Sequence, residues 1–192
     1  NSYEKGLSLS RNLAIKNAVG DICLIADDDV EYLSNFEQKI LETFKKQLSV
    51  SIIQFKIETF SGKAYKLYNK VSKKLVRNKD FKKVSSIEMA FKREHLINEK
   101  IQFNTLFGLG SYFKSGEEYL FLKEAFRKNL IIYFENSFIV KHKFERSTSN
   151  VSSNDFIKAK AAIYYKDYKY LSYLFLIKFI FFLYRKGFID LK

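Results

Sequence analysis

The sequence predicts an α/β fold, and three observations carry that prediction. Helical and strand-like hydrophobic patterns alternate through the first half of the chain. A short, unbroken apolar run over 22–26 suits a strand covered on both faces. An amphipathic helix follows it over 34–47. The chain has 192 residues, 47% of them hydrophobic, which is enough for a real core.

Taken in order, Ser8 to Val19 reads as a helix with Leu9, Leu13 and Ala14 at helical spacing and Gly20 as its stop. Asp21 leads into Ile22-Cys23-Leu24-Ile25-Ala26, and that run ends in Asp27-Asp28-Asp29. In the next helix, Ser34 and Glu37 have capping-box spacing, and Phe36, Ile40, Leu41 and Phe44 make one stripe. Ser51 to Thr59 alternates, with Ile53, Phe55 and Ile57 on one face of a strand, and Lys63 to Tyr68 is its expected hairpin partner. Lys70 to Lys83 reads as a surface excursion, and Ser86 to Phe91 as a further strand.

The chain has only seven glycines, yet Gly108, Gly110 and Gly116 cluster in and just after the 104–115 loop. Such a cluster marks a backbone that bends or approaches a ligand closely. A helix is expected from Gly116 to Asn129, then short strands over Leu130–Phe134 and Phe138–Lys141, the second ending at His142. Glu145 to Asn154 reads as a polar, serine-rich loop. The rest is helical and strongly apolar from Leu171 to Tyr184.

The formal net charge is +13, which fits an anionic partner or simply solvated lysine faces. The lysines are scattered, with no arginine-rich arm, zinc-finger spacing or RNA-binding aromatic motif, so nucleic acid is not the expected partner. Cys23 is the single cysteine; it excludes an intrachain disulfide and fits a reducing compartment. The chain opens on Asn1-Ser2-Tyr3, which reads like the interior of a longer protein.

The chemistry concentrates at Asp27-Asp28-Asp29. Three carboxylates at a strand end repel one another, a cost that a divalent cation offsets. Oxygen donors suit Mg²⁺ or Mn²⁺, and strand alternation would put Asp27 and Asp29 on one side. A solvated acidic turn is the other reading of those three residues alone.

The string from Gly6 to Tyr32, with Ser8, Arg11 and Asn12, then Gly20-Asp21, then Asp27-x-Asp29, resembles family 2 glycosyltransferases. The resemblance implies a GT-A-like (Rossmann-like) mixed sheet flanked by helices, N-terminally truncated, with a C-terminal helical tail. It places Asp27, with Asp28 beside it, and Arg11 near the donor nucleotide, and gives Asp29 the metal on the diphosphate. The later string from Phe107 to Asn129 resembles the family's acceptor loop and catalytic helix. There the second residue of an acidic pair is the general base, which is Glu118 here, next to Glu117. The family more often carries Glu-Asp at this pair, so the base here is one methylene longer. Spacing alone also allows Glu118 to cap its helix from Ser115. His142 matches a histidine that can join the metal in this family, and Ser86 and Glu88 match an acceptor-side strand of its surface-polysaccharide members.

The resemblance further implies inverting transfer from a UDP-sugar, with Mn²⁺ or Mg²⁺, to a carbohydrate or lipid-linked acceptor in bacterial surface polysaccharide or glycolipid synthesis. The expected domains are a partial GT-A domain over 1–145 and a loop with helical tail over 146–192. The apolar stretch 170–184 fits an interfacial helix on a membrane surface, a core-packing helix or, less well, a spanning one. The expected location is cytoplasmic, peripheral on the inner membrane face. Two other functions stay open: a non-catalytic remnant of a transferase, and a basic membrane-peripheral binding module.

Overall fold

The structure is a computed structural model and describes residues 6–143 and 151–190. The α/β class is as expected. Its elements are α1 (Leu7–Asn17), β1 (Ile22–Leu24), β2 (Val30–Tyr32), α2 (Phe36–Lys46), β3 (Val50–Thr59), β4 (Lys73–Lys74), α3 (Asn78–Phe81), β5 (Met89–Lys92), α4 (Arg93–Asn98), α5 (Glu117–Arg127), β6 (Ile131–His142), α6 (Asn154–Tyr168) and α7 (Ser172–Arg185). The described residues fall into two compact units. One comprises 11–103 and 118–143; the other comprises 6–10, 104–117 and 151–190.

The first unit is built on a six-stranded sheet in the order β1-β5-β3-β6-β2, with β4 also along β6. Only the β3–β6 pair is parallel, so the sheet is mixed. In β3, Val50, Ile52, Ile53, Phe55 and Ile57 are wholly buried, as a central strand covered on both faces requires. Ile53, Phe55 and Ile57 join one core cluster with Ile40 and Phe44 of α2 and Ala90 of β5. On the other face Phe91 of β5 meets Phe121 of α5, which stacks on Phe103 at a centroid distance of 4.2 Å.

Several local expectations change in tertiary context. Helix α2 starts at Phe36 after Asn35, without a side-chain cap. Burying a large apolar side chain contributes about 1.5–3 kcal/mol, against about 1 kcal/mol for a cap. The apolar stripe therefore forms α2 without the Ser34 box. Strand β1 is a half-buried edge strand of three residues, because only β5 pairs with it. The expected hairpin after β3 reduces to the bridge Glu58–Ala64. The two short strands expected after α5 are one strand, β6, long enough to pair with β4 near its start and β2 at its end. Ser86–Glu88 is a 3-10 turn leading into β5.

The second unit joins the glycine-bearing loop to a helical pair. In the loop, Gly108 N–H donates to Phe113 O (2.8 Å) and Phe113 N–H to Leu106 O (2.8 Å), while the Phe107 and Phe113 rings stack at 4.7 Å. Gly116 has φ +98°, which favours glycine, and a Cβ there would stand 2.5 Å from Cδ1 of Ile163 on α6, so that side chain would have to shift. Ser153 caps α6 by accepting from Phe156 N–H at 3.2 Å. Helices α6 and α7 pack through Tyr168–Phe175 (3.8 Å, stacked), Tyr164–Phe175 (5.9 Å) and Phe156–Phe179 (6.3 Å), an order that runs them antiparallel. Among the described residues, no helix is long and apolar enough to cross a membrane. Most of the polar loop expected over 145–154 lies outside the described residues.

Candidate active site

The site begins with α1. Its buried positions are Ser8, Arg11 and Ile15, whereas Leu13 is 49% exposed and Ala14 is also at the surface. The buried face therefore differs from the Leu9/Leu13/Ala14 stripe that the spacing suggested. A helix this weakly amphipathic takes its orientation from polar partners, and Arg11 has several.

Arg11 Nη1 donates to Glu118 Oε1 at 3.3 Å. Arg11 Nη2 donates to Ser86 Oγ at 2.8 Å and lies 3.7 Å from Asp27 Oδ1. The guanidinium carbon also lies 5.4 Å from the centre of the Phe103 ring. One planar cation, only 7% exposed, thus joins α1 to the end of the β1 segment, the 3-10 turn before β5, and the first turn of α5. Asn12 fixes that arrangement from the next position. Its Nδ2 donates to Phe103 O (2.8 Å) and its Oδ1 accepts from Phe103 N–H (2.7 Å). The Arg-Asn pair of the sequence motif therefore grips residue 103 by ring and backbone together.

The aspartate run lies beyond β1, in the connection to β2, with Asp28-Asp29 in a turn. Asp27 and Asp29 are 41% and 58% exposed. Strand alternation does not decide which way they point, because none of the three is in a strand. The Val30–His142 register of β2 on β6 instead brings Asp29 to His142, with Asp29 Oδ2 3.1 Å from His142 Nε2. Asp28 is exposed, with no partner among the described residues. Burial, and then the Asp27 charge, push the Tyr32 phenol above its ordinary pKa; its hydroxyl donates to Ile25 O at 3.5 Å.

The acidic pair at the start of α5 is divided. Glu118 is 20% exposed and faces Arg11. Glu117 is 5% exposed, and in the loop unit its carboxyl packs 3.3 Å from where a Cβ on Gly108 would be.

Glu88 is wholly buried and anchors a polar network that sequence reading missed. Its carboxylate accepts from Gln54 Nε2, Lys66 Nζ and the Tyr68 hydroxyl, each at 2.8 Å, and from Ser85 N–H at 3.0 Å. This network braces the turn that presents Ser86 to Arg11. The usable signal was Lys66 and Tyr68 following β3, two polar side chains within reach of an acid two residues past Ser86. Phe103 carried no signal of its own.

Asp29 and His142 offer one oxygen and one nitrogen donor. The Nδ1 of His142 is buried with no hydrogen-bond partner among the described residues, whereas Nε2 faces Asp29 and is the nitrogen placed to share a ligand with it. Among the described residues no group of three or more such donors gathers. Two donors still fit Mg²⁺ or Mn²⁺, which commonly fill their remaining positions with phosphate oxygens and water.

Comparison with solved structures finds S. aureus TarS. TarS 1-349 is matched with 18% identity and a TM-score of 0.57, over 83% of this chain and 44% of that one. A longer TarS structure is matched with 18% identity and a TM-score of 0.58, over 83% of this chain and 27% of that one. TarS 1-349 in complex with UDP-GlcNAc is matched with 18% identity and a TM-score of 0.56, over 85% and 47%. The likeness is one of fold, and the chain spans less than half the length of these structures. No curated protein matches the sequence. The model of glycosyl transferase family 2 matches residues 1–128, two thirds of the sequence, and the chain belongs to that family.

Proposed function

We propose that the chain transfers a sugar from a UDP-sugar to an acceptor hydroxyl, with inversion, in the synthesis of a bacterial surface polysaccharide or glycolipid. The observation that carries this reading is the Arg11 guanidinium, which gathers Asp27 and Glu118 from distant parts of the chain. The fold likeness to TarS in complex with UDP-GlcNAc and with UDP supports a uridine diphosphate donor.

In this reading Glu118 accepts the proton of the acceptor hydroxyl. The hydroxyl oxygen bonds to the anomeric carbon from the face opposite the leaving group. The bond from that carbon to the diphosphate oxygen breaks, and its electron pair leaves with UDP. Arg11 positions Glu118 through its 3.3 Å hydrogen bond and shares the charge near the donor. Asp27, with Asp28 beside it, borders the nucleotide. Asp29 and His142 would hold Mn²⁺ or Mg²⁺, which would supply Lewis-acid stabilisation of the diphosphate. Glu117 is the second acidic candidate; its burial against Gly108 suits positioning more than proton transfer.

A membrane surface is the proposed location, on the cytoplasmic face. Tyr170, Leu174, Ile177, Phe181 and Tyr184 recur at helical spacing, and all are exposed. Lys169, Lys178, Arg185 and Lys186 accompany them and suit anionic lipid.

The test is UDP release from UDP-GlcNAc and other UDP-sugars with Mn²⁺, comparing wild type with Glu118→Gln. A loss of about 100-fold or more in turnover is expected for the variant, with Mn²⁺–UDP binding retained. A wild-type protein that binds no UDP and turns over no donor overturns the reading.

A further inference from the structure

The loop unit contains a cleft of about 750 Å³ that the transfer chemistry leaves unused. One wall is the 104–113 loop, which contributes Phe107, Tyr112 and Phe113; the other is the α6–α7 pair, which contributes Tyr165, Tyr173 and Leu176. Both walls are preformed. The loop is closed by its own backbone bonds and the stacked Phe107 and Phe113 rings, and Tyr112 meets Phe113 edge-on at 4.9 Å. The helical pair is held by the Tyr168–Phe175 stack and by Ile163 seated on Gly116. Ala161 and Ala162 of α6 line the same wall, where larger side chains would fill the space.

The charge around this apolar surface has one sign. Lys158, Lys166 and Lys169 line the cleft, and no lining residue is acidic. None of the three has a carboxylate within ion-pair distance among the described residues. Lys169 holds φ at +50° with ψ at −121°, a backbone conformation that glycine adopts at less cost, and its Nζ stands 5.5 Å from the centre of the Tyr165 ring. Tyr173, in the cleft wall, is 68% exposed and adjoins Leu174 of the outward apolar stripe on α7, so the apolar surface continues from the cleft to that face.

We propose that this cleft binds a lipid phosphate, its chain along the aromatic walls and its head group on Lys158, Lys166 and Lys169. An aromatic cleft with unpaired lysines matches an amphiphile bearing a phosphate better than a neutral sugar or free phosphate. Its use as the seat of a lipid-linked acceptor rests on the transfer reading above; the binding itself does not.

The experiment is calorimetric titration of the full chain with dodecyl phosphate below its micelle concentration, beside dodecyl maltoside and inorganic phosphate. Dodecyl phosphate is expected to bind at least about tenfold tighter than either comparator. Lys158→Gln/Lys166→Gln/Lys169→Gln, three exposed changes, weakens it about tenfold or more. Ala162→Phe, which fills the cleft, removes binding. Equal affinity for dodecyl maltoside, equal affinity for inorganic phosphate, or undiminished binding by both variants overturns the proposal. Mn²⁺–UDP binding is measured on the same samples. Its absence sinks the transfer reading alone, whereas its presence without dodecyl phosphate binding sinks the cleft alone.

Discussion

Arg11 and Glu118 are 107 positions apart, yet their side chains meet at 3.3 Å, with the arginine 7% and the glutamate 20% exposed. Removing one partner from a pair this enclosed leaves the other charge poorly solvated. Arg11→Ala is therefore expected to destabilise the fold by about 1–3 kcal/mol, read as a shift in denaturant midpoint. Arg11→Lys keeps the charge but not the fork that reaches Ser86 and Glu118 together, so it should recover stability only in part. Wild-type stability in both variants would show that the guanidinium is not a structural hub.

Asp29 and His142 meet because β2 and β6 pair with Val30 opposite His142. If they are the metal donors, Asp29→Ala and His142→Ala should each weaken Mn²⁺ binding in the presence of UDP by about tenfold or more. Asp29 is 58% exposed, so its loss should scarcely move the melting temperature, whereas His142 is 13% exposed and packs edge-on to Tyr65, so its loss should lower it. Unchanged Mn²⁺ affinity, followed by paramagnetic resonance, would remove these two residues from the metal site.

Gly116 combines φ +98° with a Cβ position 2.5 Å from Ile163 Cδ1. Gly116→Ala should cost about 1–3 kcal/mol through overpacking and backbone strain together. Ile163→Val removes the colliding carbon, so the double variant should regain part of that loss and retain the part due to φ. Additive losses in the double variant would contradict the packing account.

Burial, and after it the negative charge of Glu88, hold the Tyr68 phenol well above its ordinary pKa of 10.0. The unfolded chain loses this proton near the ordinary value, while the folded chain keeps it. Stability is thus fully present below about pH 10 and falls as pH rises beyond it. Tyr68→Phe loses the bonds to Glu88 and from Ile57 N–H, at 2.8 and 2.9 Å, and should cost about 1–3 kcal/mol at neutral pH. In exchange, its stability should decline less steeply above pH 10. Parallel alkaline curves for wild type and variant would show that another group governs that limb.

Much of the architecture was legible in the residues. The period-2 pattern of Ile53, Phe55 and Ile57 and the helical stripe of Ile40 and Phe44 come together in one core cluster, because each pattern is local and burial rewards it directly. The family resemblance also singled out Arg11, Asp27, Glu118, Asp29 and His142, and the structure places Asp27 and Glu118 on the Arg11 guanidinium and Asp29 beside His142. What spacing could not supply was the company those residues keep. That Gln54, Lys66 and Tyr68 surround Glu88 was not read from the sequence, because Gln54 lies in β3 and the other two in the segment after it, all distant from Glu88 along the chain.

The sequence by itself determined the α/β class, the helices and strands with strong periodicity, and the family, since these depend on neighbouring residues and motif spacing. Only the tertiary structure decided which face of α1 is buried, that Glu117 and Glu118 take different surroundings, and that Asp29 lies beside His142. A weakly amphipathic helix has no preferred face until partners such as Glu118 and Ser86 supply one, and β2 and β6, distant in sequence, meet in register only when they pair as neighbours in the folded sheet.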